Sequence, residues 1–519
     1  MSIYLLPLLS PVLFSLGAAL GFLRPGRRPH ISLMLIEAAA VFAMLAALAS
    51  LALLVLKGPG AAGLTGLGSI GDVVRLDAVS APMLLLVSFI GWVVVRYSKT
   101  YLDGESRQGA FMGWLCLTLA FVLLLVIAGN LLQLLAAWIA TSLSLHRLLL
   151  FYPGRVAAQR AARKKFVTAR LGDVTLLGAA VLLAAAYHTT DIALILTAAH
   201  AGEGGNLAVG AASLLALAAL LKSAQFPTHG WLTEVMETPT PVSALLHAGV
   251  INAGGFLLIR FADVMLLAPG VLALLVMIGG FTALFGSLVM LTQPAVKTSL
   301  AWSTVAQMGF MILQCGLALF PLALLHIVAH SLYKAHSFLA SGGAVERVAA
   351  IRRPGPVAIP GARAVAKAFL LALTIYVLVG LGFGLLHKSP QAIALGAILI
   401  FGVAYMLAQG LADAAPKALT ARTTVYAIAT SVGYFALHTV ATSLTSAVLP
   451  ATPTPGPLEW ALLVLAVMSF GAVAFVQSMF PLWAYHPAAA GLRVHLSNGL
   501  YANAVFDRFV GAWSNRNVS

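Results

Sequence analysis

The chain has 519 residues, of which 61% are hydrophobic and only 9% charged, and its mean hydropathy is +0.99. Soluble domains carry about a quarter charged residues, so this composition excludes a soluble protein and predicts an all-α polytopic membrane protein. The net charge of +15 is placed in loops between apolar runs, which indicates membrane orientation and not nucleic-acid binding.

Hydropathy predicts about 15 transmembrane helices. The first apolar run lacks a basic leader and a cleavage site, so we expect it to be retained as a span and not removed as a signal peptide. The predicted spans are 3–23, 31–56, 78–95, 110–128, 131–151, 166–186, 207–226, 240–259, 268–291, 298–317, 321–341, 364–386, 391–411, 423–447 and 458–483.

Basic residues cluster after the first, fifth and eleventh predicted spans, on one side of the bilayer. The positive-inside tendency makes that side cytoplasmic, so we expect an outside N-terminus and a cytoplasmic C-terminus in a bacterial inner membrane. The tail from 491 to 513 is too polar to span and is predicted to be an interfacial amphipathic segment. The basic clusters are Arg24, Arg27 and Arg28; Arg155, Arg160, Arg163, Lys164 and Lys165; and Arg347, Arg352, Arg353, Arg363 and Lys367.

The stretch "KSAQFPTHGWLTEVMETPTPVSALLHAGVINAGG" combines charge with helix breakers between two apolar runs. Lys222 ends the seventh run, and Pro227 removes a backbone donor and predicts a broken helix there. Glu234 follows, and His247 lies on the eighth span. Ionisable residues in a membrane are candidate functional groups because each costs roughly 2.5–3.5 kcal/mol to insert. The alternatives are a snorkelling lysine and a hydrogen-bonded core histidine.

The eleventh run carries His326, His330 and Lys334 at i, i+4 and i+8, so all three lie on one helical face. Three ionisable groups on one stripe favour a proton path, since desolvation lets a lysine release its proton. Histidines at i and i+4 can also bind zinc, but no carboxylate or cysteine nearby in the sequence completes such a shell.

Acids for this path are few. Asp173 is the only carboxylate of the predicted sixth span, with Arg170 one turn away, and the two could equally form a local structural ion pair. Lys297 and Lys388 lie at span ends, where snorkelling or orientation is an equal alternative. The two cysteines, Cys116 and Cys315, lie in apolar runs and are too few for an iron–sulfur cluster or a four-cysteine zinc site.

The stretch at 222–255, together with "KTSLAWSTVAQMGFMILQCGLAL" and "HIVAHSLYKAHSFLASG", resembles the proton-translocating membrane subunits of the Mrp antiporter and complex I superfamily, nearest to the subunit-L branch. The resemblance implies two inverted five-helix repeats, each with a broken helix, joined by a hydrophilic axis. We expect N-terminal helices at 1–109, repeats at 110–265 and 266–420, and C-terminal helices with the tail at 421–519.

Matched residue by residue, Lys222 is the broken-helix lysine of that family and His247 the histidine of the next helix. The resemblance makes the eleventh-run stripe a link between two half-channels, and "GLGFGLLHKSP" implies that Lys388 is the terminal lysine. The chain departs from the family at Ile139, which stands where a glutamate follows tryptophan, so Asp173 is the nearest remaining acid. It also ends without the long lateral helix of subunit L.

These departures, with "TEVMETPTPVSALLHAGVINAGG" and "VHLSNGLYANAVFDRF", resemble the membrane subunit of the two-component DAB inorganic carbon accumulation system. That resemblance implies a soluble, zinc-containing, carbonic-anhydrase-like partner, whose CO₂ hydration is driven by the flow of ions through this chain. We expect the ion to be H⁺. The resemblance implies no cofactor or metal in this chain itself.

Three other functions remain open at this point. They are a proton-pumping subunit of a quinone oxidoreductase or membrane-bound hydrogenase, an Mrp-type Na⁺/H⁺ antiporter subunit, and a structural scaffold with a vestigial path. We do not expect catalysis by this chain, because its sequence shows no nucleotide loop and no nucleophile constellation.

Overall fold

The structure is a computed structural model that describes residues 2–63, 71–343, 360–411, 417–479, 483 and 486–511. The predicted basic residues Arg347, Arg352 and Arg353 lie outside the described residues. The described chain is predominantly helical, as the apolar composition requires of a polytopic protein whose backbone must satisfy its own hydrogen bonds in lipid.

The first part of the chain forms six long helices, with a short β-ribbon after the second and a short helix after the sixth. They are α1 (Leu9–Leu23, after a 3-10 turn at Ile3–Leu8), α2 (His30–Lys57), β1 (Gly60–Ala62), β2 (Val74–Leu76), α3 (Ser80–Tyr101), α4 (Gln108–Val126), α5 (Leu131–Leu149), α6 (Val156–Tyr187) and α7 (Ile192–His200). The two strands pair antiparallel, with Ala61 opposite Arg75.

The next part is interrupted and then returns to long helices. The interrupted elements are α8 (Gly205–Lys222), α9 (Gly230–Thr233), α10 (Thr240–Ala248), α11 (Ala253–Arg260) and α12 (Ala262–Leu266). The later helices are α13 (Pro269–Met290), α14 (Val296–Gly316), α15 (Phe320–Leu339), α16 (Ala362–Gly382), α17 (Pro390–Gly410), α18 (Lys417–Thr445), α19 (Pro457–Ser478), α20 (Ala490–Ser497) and α21 (Ala502–Gly511).

Apolar packing divides the bundle into a large and a small core. Helices α1 to α15 share one continuous buried core. Helices α16, α17 and α18 surround a second core that includes Tyr376, Ala404 and Phe435. A smaller cluster containing Leu313 and Leu462 joins α14 to α19. Large apolar side chains also point outward along the helices, as a lipid-facing surface requires.

One end of the bundle, which we call the arginine-rich face, gathers the loops after α1, α3 and α5. Arg28 forms an ion pair with Asp103, with 2.9 Å between Nε and Oδ1. Arg107 donates a hydrogen bond to the carbonyl oxygen of Phe151. These contacts place three of the predicted loops at the same end.

The other end, which we call the opposite face, is organised around a buried carboxylate. Asp77 Oδ2 lies 2.5 Å from Arg260 Nη1 and 2.7 Å from Arg75 Nε. Burial alone would raise the pKa of Asp77, but the charges of Arg260 and Arg75 together hold it below its usual value. Nearby, His200 Nδ1 lies 2.9 Å from Asp263 Oδ1. These pairs tie the β-ribbon and α7 to the ends of α11 and α12.

The predicted spans agree with the helices. Among the described residues, twelve helices are long and apolar enough to cross a membrane, counting α10 and α11 as one, and each corresponds to a predicted span. The other three predicted spans coincide with α14, α15 and α17, which have 20 or 21 residues each.

One predicted boundary was wrong, and the error matters for the site. The sixth span was predicted to begin at 166, but α6 begins at Val156, so Lys164 and Lys165 lie in a helix and not in a loop. Ala158, Ala161 and Ala162 are buried along its inner stripe. Residue 165 continues that stripe at i+3 and i+4 spacing, which carries the lysine into the bundle.

Candidate functional site

The break predicted beside Lys222 is present. Helix α8 ends at Lys222, and the next long helical stretch starts only at Thr240. The break packs tightly: Ser223 Oγ donates to the carbonyl of Ile251 at 3.2 Å, and a Cβ on Gly254 would overlap Ser223 and the carbonyl of Ala219. Gly254 therefore permits a close approach of α11 to the end of α8.

Lys222 points to a cluster of charges at the centre of the first core. Its Nζ lies 4.3 Å from the centroid of the Trp138 ring, within cation–π range. Asp173 is buried, and its Oδ2 lies 2.7 Å from Arg170 Nη2. Lys222 and Lys165 also act electrostatically on Asp173. Asp173 is thus both the ion-pair partner of Arg170 and the acid facing two lysines.

Lys165 is a site residue that the sequence reading missed, since it was assigned to a basic loop. It is 5% exposed, and its Nζ donates to the carbonyl and hydroxyl oxygens of Ser142 at 2.8 and 3.1 Å. A cavity of about 20 Å³ is lined by Lys165, Lys222, Trp231 and Leu246 among others. One water molecule fits such a volume.

The second cluster is built from α10, α14 and α15. His247 Nδ1 lies 3.1 Å from Thr304 Oγ1, and His330 Nε2 lies 3.2 Å from the carbonyl oxygen of His247. Lys334 is completely buried, and its Nζ donates to the carbonyl of Leu300 at 3.2 Å. The predicted stripe of α15 therefore faces the helix that carries His247.

His326 extends this second cluster towards the opposite face. Its ring centroid lies 5.9 Å from that of His330 and 5.8 Å from that of Phe310. The two clusters approach each other at α10, because Leu246 lines the cavity of the lysines and the adjacent His247 contacts α15. Lys222 and Asp173 thus belong to the first cluster, and His247, His326, His330 and Lys334 belong to the second. We call the two clusters together the polar chain.

Ile139 occupies the position where an acid was expected, and it is partly buried against the first core. It precedes Ser142 by three residues on α5, so the two share a helical face. Ser142 supplies oxygens to Lys165, and Asp173 supplies the negative charge from α6. The carboxylate of this cluster thus comes from α6 instead of α5.

Glu234 lies away from the polar chain, at the arginine-rich face. Its carboxylate oxygens lie 2.6 and 2.7 Å from Lys164 Nζ, and Asp507 Oδ1 lies 2.6 Å from the same nitrogen. Burial raises the pKa of Glu234, the contacts with Lys164 lower it, and the charge of Asp507 raises it. Neither Lys164 nor Asp507 was predicted as a site residue.

Lys388 also lies apart, after the 3-10 turn Leu385–His387 near the opposite face. Its Nζ donates to Thr439 Oγ1 at 3.4 Å, and its charge acts on His438. These contacts belong to the second core and not to the stripe of α15. Its assignment to the path rests on the family resemblance and stays a prediction.

In the part of the chain that the structure describes, no three histidine, cysteine, aspartate or glutamate side chains are grouped so that they could hold a metal ion. Of the two histidines considered for zinc, His330 contacts the carbonyl of His247. The arrangement is one of lysine, histidine and aspartate side chains on neighbouring helices, which are residue types that can transfer protons.

Two family models match the chain. The model described as NADH:quinone oxidoreductase/Mrp antiporter, TM, matches residues 128–355, and the one described as NADH-ubiquinone oxidoreductase (complex I), chain 5 N-terminus, matches residues 69–112. The first of these ranges contains both polar clusters, with Glu234 and Lys164. Lys388 and Asp507 fall outside it.

Among similar proteins, the probable inorganic carbon transporter subunit DabB2 of Halothiobacillus neapolitanus is 39% identical over 84% of this chain and 79% of its own length. The chain belongs to the DabB family. The probable inorganic carbon transporter subunit DabB of Hydrogenovibrio crunogenus is 49% identical over 53% of each chain. Subunit L of the NADH-quinone oxidoreductase of Escherichia coli is 36% identical over 52% of this chain and 44% of its own.

Solved structures carry the same fold as this DabB-family chain. A chain of the Mrp complex from Dietzia sp. DQ12-45-1b superposes with a TM-score of 0.54 and 25% identity, covering 99% of this chain and 56% of that one. A chain of respiratory complex I from Thermus thermophilus superposes with a TM-score of 0.55 over 96% and 99% of the two chains, at 20% identity. The expected superfamily fold is thereby confirmed.

Proposed function

We propose that this DabB-family chain conducts ions, in the form of protons, across the bacterial inner membrane through the polar chain of α5, α6, α8, α10 and α15. The observation that carries the proposal is the presence of two clusters of ionisable groups, one around Lys165 and Lys222 and one around His330 and Lys334, on neighbouring helices of an apolar bundle. Each charge there costs free energy to bury, so a set of them on facing helices is retained for a function that needs them.

In this mechanism protons move among the groups of each cluster and cross from one cluster to the other at α10. Lys222 and Lys165 exchange a proton through the cavity between them, with Asp173 compensating their charge. A proton reaching α10 passes by way of His247 and His330 to Lys334, whose neutral and charged forms alternate during turnover. The carbonyl oxygens of Ser142 and Leu300 hold the two terminal ammonium groups in place.

We further propose that proton flow down the electrochemical gradient drives CO₂ hydration in a soluble zinc-containing partner, so that bicarbonate accumulates. The printed names of the DabB relatives support an inorganic carbon role. Zinc in the partner would supply the activated hydroxide. This chain would supply the proton path only, and it would hold no cofactor.

The test is growth in air of a bacterial host without carbonic anhydrase that produces this chain together with its partner. We expect rescue by the wild type, loss of rescue by Lys222→Met and by Lys334→Met, and full rescue by Lys57→Met, which alters an exposed lysine at the end of α2. A protonophore should abolish the rescue. Rescue that survives the protonophore would refute gradient coupling.

Redox-driven pumping and Mrp-type antiport remain second candidates, because both family models name an oxidoreductase and the first also names the Mrp antiporter. In these two functions, a redox reaction or the movement of Na⁺ takes the place of CO₂ hydration in a soluble partner. Sodium-dependent proton movement by the chain in vesicles, without any carbon partner, would favour antiport. If the Lys222→Met and Lys334→Met variants assemble with the partner and keep full rescue, the result would favour a purely structural role for the chain.

A further inference from the structure

The C-terminal segment folds back onto the arginine-rich face and lies over the break between α8 and α10. Asp507 of α21 contacts Lys164 of α6 at 2.6 Å, and Asn503 Nδ2 donates to Thr233 Oγ1 at 3.3 Å. Further along, Gln293 Nε2 donates to the carbonyl of Ser497 at 3.3 Å. We now restrict the term tail to residues 487–508 of this segment, which overlap the predicted amphipathic segment.

Polar groups are sealed beneath the tail. His229 is completely buried, and neither of its ring nitrogens has a hydrogen-bond partner among the described residues. Its ring lies 4.9 Å from that of Trp302 and 5.6 Å from that of Phe226. A buried polar group left unpaired costs roughly 1–3 kcal/mol, so it requires a functional reason.

The sealed region is next to the polar chain. Lys164 is completely buried under Asp507, and the charge of Lys164 acts on His229. Its neighbour on α6 is Lys165, which lines the cavity shared with Lys222. The region under the tail is therefore next to the first cluster and lies at the arginine-rich end of the bundle.

The tail is only lightly anchored. Leu496 and Gly499 are its buried residues in the described part of the chain, whereas Leu492, Val494 and Val505 are about half exposed. Segments with few buried contacts open at low free-energy cost.

The ion pair under the tail is also suited to opening. Lys164 contacts two carboxylates, so the departure of Asp507 leaves it paired with Glu234 and strands no unpaired charge in the protein. Two carboxylates at one ammonium also repel each other, which weakens the closed state. Neither state therefore carries the large penalty of an uncompensated buried charge.

We propose that the break between α8 and α10 is the entrance to the polar chain on the arginine-rich face, and that the tail is its removable cover. The inference rests on the proposed ion path for its purpose, but the movement of the tail can be measured without ion flow.

The first experiment measures whether the tail covers the break. A cysteine at Thr233→Cys is treated with a water-soluble maleimide in the full chain with its partner; the native Cys116 and Cys315 are buried. We expect modification to become at least about tenfold faster when Asp507→Asn is added. Gly154→Cys, exposed on the same face, should react at one rate in both backgrounds. If Thr233→Cys is modified at the same rate with and without Asp507→Asn, the proposal that the tail covers the break is wrong.

The second experiment locks the tail. Thr233→Cys combined with Asn503→Cys should form a disulfide on oxidation, reduce proton flux into vesicles at least about tenfold, and regain it on reduction. The controls are the single variants Thr233→Cys and Asn503→Cys under the same oxidant, which cannot form this disulfide and should keep their flux. Full proton flux through the disulfide-locked protein would refute the proposal that the break is the entrance to the polar chain. Absence of flux from the wild type would instead overturn the proposed function, and the labelling rates would still decide the cover.

Discussion

At the scale of single residues, the polar chain depends on one carboxylate that neutralises several cations. Arg170, Lys165 and Lys222 all act on Asp173. Removing one member of a buried charge network is costly because its partners stay behind unpaired, typically by about 3–5 kcal/mol. Asp173 is therefore the residue whose loss the first cluster tolerates least.

We expect Asp173→Asn to reduce proton flux at least about tenfold, since the remaining cations repel an incoming proton. Asp173→Glu keeps the charge and should retain most of the flux. The measurement is the rate of internal acidification of vesicles that contain the purified complex, followed with a pH-sensitive dye.

A second substitution on α5 can test whether charge compensation explains this loss of flux. A glutamate at Ile139→Glu shares a helical face with Ser142, which contacts Lys165, so it can supply the missing charge from α5. The double variant should recover a measurable part of the flux lost by Asp173→Asn. If it stays as inactive as the single variant, charge compensation is the wrong account of Asp173.

Sequence reasoning found most of these residues but not all. The α15 stripe and Lys222 stand out because charge is rare in apolar runs. Lys164 and Lys165 look like loop residues because they end a basic cluster, although the alanines at 158, 161 and 162 already mark an inner helical stripe. Asp507 could not be predicted, since its contact with Lys164 joins segments far apart in the chain.

At the scale of elements, ion pairs hold the ends of helices whose sequences are too apolar to specify unique contacts. Asp77 precedes α3 and binds Arg260, the last residue of α11, and Arg75 of β2. The pair connects the ribbon, α3 and α11 at the opposite face. It fixes where α11 ends.

We expect Asp77→Asn to lower the free energy of unfolding by about 3–5 kcal/mol, because two arginines lose their buried counter-ion. The pKa of Asp77 is held below its ordinary value of 3.8. Its contribution is therefore complete above that value and is lost as the pH falls below it. The Tm difference between wild type and variant, measured in detergent, should stay constant from about pH 5 to 8.

The matched control is Asp103→Asn, which removes the partner of Arg28 in an exposed ion pair. Such pairs contribute about 0–1 kcal/mol, so its Tm should stay near that of the wild type. A Tm difference for Asp77→Asn that already disappears near pH 6 would show that the pKa of this carboxylate is raised and not lowered.

At the scale of the whole molecule, the lipid solvent makes the helices predictable, since each span must be long and apolar. Hydropathy does not indicate which helices pack against each other. The separate core of α16 to α18 places Lys388 beside Thr439, away from the stripe of α15, and no local pattern in the sequence indicates that separation.

The orientation of the whole bundle is the remaining prediction, and the charge of its loops determines it. The arginine-rich face should be cytoplasmic because moving its arginines and lysines across the membrane is disfavoured. A membrane-impermeant maleimide should therefore label Ala61→Cys, exposed in β1, in intact cells. It should label Gly154→Cys, exposed at the arginine-rich face, only after permeabilisation. The reverse pattern would place the tail, and the entrance that it covers, on the side away from any cytoplasmic partner.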